Sequence, residues 1–97
     1  MSQLSNGWAF GPPPNLAVIT VRQVVEGSLP ILYVSHDADD GGWQFLTGLA
    51  LEAGDVKVVS LAYIVKLDPS IAILAALPKG HMATRASVDD SWESRQQ

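Results

Sequence analysis

The sequence predicts an α+β fold, a mostly antiparallel sheet with two short helices packed on one side. Three observations carry this prediction. "PILYVSHD" and "WQFLTG" are apolar runs joined by "ADDGG", the pattern of a hairpin. "LAVITV" and "VKVVS" are short β-branched runs. "SLAYIVKLDPSIAILAALP" repeats its apolar residues at helical spacing and is cut by Pro69. The chain of 97 residues has room for one core, and it shows no internal repeat.

Residues 1–15 read as a proline-rich arm. Pro12, Pro13 and Pro14 remove three N–H donors and favour extended backbone. Trp8 and Phe10 in this arm are expected to pack back on the body. Residues 16–88 read as the domain. Leu16 to Val21 is a strand, and "RQVVEGS" allows one helical turn stopped at Gly27. From Pro30 the strand "PILYVSHD" alternates, with Ile31, Tyr33 and Ser35 on one face and Leu32, Val34 and His36 on the other.

After the Asp- and Gly-rich turn, Trp43 and Phe45 share a face of the returning strand. "LALEAGD" favours helix by propensity, with Gly54 as its stop. Val56 to Ser60 is a strand, and Leu61 to Leu67 a helix. A second helix has Asp68 as N-cap and Pro69 at its first position, where the missing N–H costs nothing. Pro78 and Gly80 end it. "GHMATRAS" reads as a closing strand, with His81, Ala83 and Arg85 on one side. Trp43 and Ile73 are expected in the core. Residues 89–97 read as a polar, fraying tail.

Composition excludes several classes of chemistry. With no cysteine there is no disulfide, thiolate metal site or Cys nucleophile. No apolar run approaches the roughly 20 residues that span a bilayer. The N-terminal residues lack the basic and apolar regions of a secretion signal, so a cytoplasmic location is expected. The net charge is −4, and it is unevenly spread. Six acids and one base lie before Lys57, while five bases and four acids lie from there on. That acidic front disfavours nucleic acid and suits a cationic protein partner.

The stretch "HDADDGGW" concentrates the reactive side chains. As a calcium loop starting at Asp37 it lacks an acid at the fifth position and the closing Glu, because Gly41 and Gly48 stand there. His36 and Asp37 are neighbours in a strand and point to opposite faces, so they do not form a base and its orienting carboxylate. His81 lies on another strand, which leaves a two-His pair with His36 open. The chain contains no nucleophile elbow, no phosphate-binding loop and no dinucleotide fingerprint. The sequence therefore predicts no catalytic residues, no resident metal and no cofactor. The hairpin is first a turn and second the densest acidic projection. Asp37, Asp39 and Asp40 are the candidate partner-binding residues. Trp8 and Trp92 are candidate anchors, since exposed Trp is enriched in binding hot spots.

The order "LPILYVSHDADDGGWQFLTG" then "VKVVSLAYIVKLDPSIAILAALPKGHMATR" resembles a bacterial family of small domains of unknown function, whose members are described as immunity proteins of polymorphic toxin systems. The resemblance runs from about Ala17 to Arg85. It rests on an apolar strand, an acidic turn containing Gly, W-x-F with a following Gly, "DPSI" and "LP-x-G". The proline-rich arm and the few acids between Leu49 and Gly54 depart from that pattern. The resemblance implies a non-enzymatic protein that binds and neutralises a cognate toxin. It brings no catalytic or contact residues to this chain. The expected partner is a protein, with a basic toxin domain as the candidate, and neither nucleic acid nor membrane. A homodimer, a structural self-associating domain and a small metal-dependent or His/Asp enzyme remain alternatives.

Overall fold

The computed structural model describes residues 8–97. The first seven residues of the predicted arm lie outside them. Six strands form one mixed sheet, β1 (Ala17–Val21), β2 (Tyr33–His36), β3 (Trp43–Leu46), β4 (Val56–Ser60), β5 (His81–Thr84) and β6 (Glu93–Gln96). Their spatial order is β4-β1-β3-β2-β5-β6. Every pairing is antiparallel except β1 with β3. The fold is thus the α+β class that the sequence predicts.

The helices are short. α1 (Arg22–Val25) follows β1 directly, and α2 (Leu61–Leu67) follows β4. Ser60 caps α2 by accepting the Tyr63 N–H at 3.1 Å. Asp68 caps the next segment, accepting the Ser70 N–H at 3.0 Å. That segment, Pro69–Leu74, is a 3₁₀ helix and not the expected α-helix. Its cap and first-turn proline are where the sequence placed them.

The β2–β3 hairpin pairs His36 with Trp43 and Val34 with Phe45. Asp37 N–H donates to the Gly42 carbonyl at 2.8 Å, and Gly41 adopts a φ of 71°. A side chain at Gly41 would also press on Lys79, whose Cε lies 3.2 Å from the Cβ position. The positive φ favours glycine there, whereas the lysine end is flexible and can move aside.

The core lies between one sheet face and the helices. Val18, Val34, Trp43, Phe45 and Ala83 supply the sheet side, and Leu61, Ile64, Ile71, Leu74 and Leu77 the helical side. Trp43 is enclosed by three rings. His36 stacks at 4.0 Å, Phe10 meets it edge-on at 5.4 Å, and Phe45 stacks at 6.0 Å. Phe10 is buried, so this part of the arm belongs to the core.

Three expectations are corrected. The Leu49–Ala53 stretch is not helical. Only Ala53–Asp55 form one 3₁₀ turn, and Leu49 and Leu51 are exposed. Helix nucleation is costly, and propensity alone does not hold a helix this short. Ile73 is 77% exposed and not core, because the tighter 3₁₀ spiral turns Ile71 and Leu74 inward and leaves Ile73 outside. The residues 89–97 expected to fray contain β6. It pairs with β5 from His81–Gln96 to Thr84–Glu93. Polar side chains suit an edge strand, whose two faces need not be buried.

The exposed Ile73 and the hairpin tip yield one stability prediction. Ile73→Ala, and Asp39→Asn combined with Asp40→Asn, are each expected to change stability by no more than about 0.5 kcal/mol. Asn retains the side-chain oxygen with which Asp40 accepts the Gly42 N–H at 2.8 Å. Thermal melts of the two variants check this, and a drop of more than about 4 °C in either contradicts it.

Candidate functional site

The register determines what the second sheet face displays. Val58, Ile19, Gln44, Ser35, Met82 and Arg95 form one row across all six strands. The core helices pack on the opposite face, while residues of the loop 47–52 and Gln97 border this one. A hollow of about 350 Å³ opens on it, floored by Tyr33, Ser35, Asp37, Gln44 and Leu46 and walled by Leu49. Asp37 projects into this setting, where its Oδ2 accepts from Gln44 Nε2 at 2.8 Å. Asp39 and Asp40 are exposed at the adjoining hairpin tip.

Tertiary contacts sort the acids of the front half. Arg22 pairs with Glu26 at 3.0 Å and with Asp55 at 3.1 Å. Hydrogen bonds from Gln23 and then Arg22 hold the Asp55 carboxyl below its usual range. In return Asp55, then Glu26, raise the Arg22 guanidinium above its usual value. Asp55 thereby clasps α1 to the turn before β4, while Glu26, at the C-cap of α1, pairs locally. Asp37, Asp39 and Asp40 make no ion pair among the described residues. Lys79 lies beside Gly41 and offsets part of their charge.

The two tryptophans sit differently from exposed anchors. Trp8 is half-buried, packs on Phe10 and donates its Nε1–H to the Pro12 carbonyl at 2.9 Å. Trp92 is half-buried against the core, and the Arg85 guanidinium lies over its ring at 4.3 Å. The Trp92 indole N–H is buried without a hydrogen-bond partner. Both rings are therefore committed in part to their own domain.

His36 and His81 stand opposite each other on β2 and β5. His36 is held through Nδ1 by the Leu77 carbonyl at 2.7 Å and by its stack on Trp43. His36 thus belongs to the core face and Asp37 to the open face. No cluster of three or more His, Cys, Asp or Glu side chains converges among the described residues.

The cluster around Arg85 is missing from the sequence-level list. Its side chain is 2% exposed and meets Asp68 Oδ2 at 2.8 Å. Nε and Nη2 donate to the Ile31 carbonyl at 3.1 and 2.9 Å, and Nη1 donates to Ser70 Oγ at 3.0 Å. The signal was present in the alternation. Arg85 shares a strand face with buried Ala83, and a base on a core face requires a partner.

Fold and site together define a small α+β domain with one sheet face open and an acidic hairpin at its end. No family model matches the chain, and no curated protein or solved structure matches it either. Among the described residues, no helix is long and apolar enough to cross a membrane.

Proposed function

We propose that this chain is a non-enzymatic, cytoplasmic protein-binding module that docks a basic protein surface, in the manner of an immunity protein neutralising a toxin. The observation that carries the reading is the grouping of Asp37, Asp39 and Asp40, without ion pairs among the described residues, beside an open sheet face. Such a surface attracts a cationic partner over distance, and the shallow hollow beside it offers a place for side chains. The sequence resemblance to immunity domains supports the same reading. Against an enzyme reading stands the separation of His36 and Asp37 onto opposite sheet faces.

Exposed charges are screened beyond about 8–10 Å at 0.1–0.15 M salt. Association is therefore expected to slow as salt rises, while dissociation changes less. The triple variant Asp37→Asn, Asp39→Asn, Asp40→Asn is expected to associate slowly even at low salt. The partner is sought by co-purification from the native cell and by pull-down with the product of the adjacent gene. Association rates are then measured across a salt series. Equal, salt-insensitive rates for the wild type and triple variant would refute acidic docking.

A further inference from the structure

We propose that the outer edge of β4 pairs with β4 of a second copy of this chain, antiparallel and centred on Val58. β4 ends the sheet, and no described residue pairs with its outer side. Its sequence, VKVVS, holds three valines beside Lys57 and Ser60, and Val58 is 64% exposed. The other edge, β6, reads ESRQ and is exposed throughout, a polar edge of the kind that resists pairing.

The ladder shows which backbone groups point outward. Leu61 N–H donates to the Leu16 carbonyl at 2.8 Å, one step beyond the Ala17–Ser60 pair. Bonded pairs alternate in an antiparallel ladder, so Val59 and Lys57 also direct their backbone groups to β1. Val56, Val58 and Ser60 turn theirs away from it.

A two-fold pairing about Val58 uses these groups. The two Val58 residues exchange N–H···O=C bonds, and each Ser60 N–H meets the Val56 carbonyl of the other copy. Lys57 then faces Val59. Shifting the register by two residues in one direction sets Lys57 opposite Lys57, which repels. Shifting it the other way leaves Val56 unpaired. The Val58 side chains meet on the open face and extend the row from Ile19 across the junction.

Charge selects the occupant. Lys57 is the only charged residue of β4, so this edge does not attract the basic partner suited to the acidic hairpin. A second copy fits both the hydrogen bonds and the charge. The paired segment is short and its buried area is below that of a standard interface, so the dimer is weak and concentration-dependent.

Sedimentation of the chain alone tests this independently of any toxin. The wild type is expected to pass from monomer to dimer between about 10 µM and 1 mM. Val58→Lys and Val58→Glu each place like charges in direct opposition and are expected to weaken the dimer by at least about tenfold. An equimolar mixture of the two is expected to restore it. Val58→Pro removes an outward N–H, though its ring also constrains the local backbone, and it is expected to remain monomeric. If this variant fails to fold, the Lys and Glu pair still decides the matter, since residue 58 is exposed. A wild type that stays monomeric at 1 mM, dimers that persist in the charged variants, or a mixture that stays monomeric each overturn the proposal.

Discussion

Trp43→Ala is expected to destabilise the protein by about 3–5 kcal/mol, the cost of emptying a large aromatic site in a core. Trp43 is 2% exposed and contacts His36, Phe10 and Phe45, so three elements meet at its ring. The loss is a large share of the roughly 5–15 kcal/mol that holds a domain folded. Each kcal/mol lowers Tm by about 4–8 °C at this chain length. Trp43→Phe is expected to cost less, about 1–2 kcal/mol. It keeps a ring in the stack and removes an indole N–H that is buried without a partner. Thermal and urea melts of the two variants check this. Equal losses for Phe and Ala would show that the indole itself, not the filled volume, carries the stability.

Arg85→Ala is expected to cost about 3 kcal/mol, the low end for breaking a buried ion pair. The low end applies because the Asp68 side chain is 22% exposed and regains water when its partner is lost. The Ile31 carbonyl loses two donors, and Trp92 loses the cation over its ring. Arg85→Lys is expected to recover less than half of the loss. An ammonium does not reproduce the planar fork that reaches Ile31, Asp68 and Ser70 together. Urea titration of both variants gives the comparison. Full recovery by lysine would assign the effect to charge alone. Trp92 fluorescence is complicated by the other two indoles, so amide exchange in β6 is the better local readout. It is expected to quicken in Arg85→Ala, because Trp92 immediately precedes that strand.

The acidic hairpin was legible because its signals are local. Asp and Gly between two alternating runs specify a turn, and the turn exposes its carboxylates whatever the rest of the chain does. The three aspartates were found for that reason. The Arg85 cluster was not, since its partners Ile31 and Asp68 are 54 and 17 residues away in sequence. The tryptophans were placed in arms because polar and proline-rich neighbours surround them. Their half-buried packing depends on contacts with Phe10 and Arg85 that periodicity does not reveal.

Local chemistry by itself determined the positions of β1, the β2–β3 hairpin, β4, α2 and the Asp68–Pro69 cap. In each, side-chain shape, alternation or a fixed φ acts within a few residues. The tertiary structure decided what distant segments negotiate with one another. It set β1 parallel to β3, turned the last polar residues into an edge strand, and left Leu49 to Glu52 without a helix. It also brought Asp55 to Arg22 while leaving Asp37, Asp39 and Asp40 without ion pairs among the described residues. Strand order and charge pairing depend on which surfaces meet after collapse, and a backbone edge accepts any strand whose faces match. A local pattern records the preference of a segment, and only packing selects its neighbour.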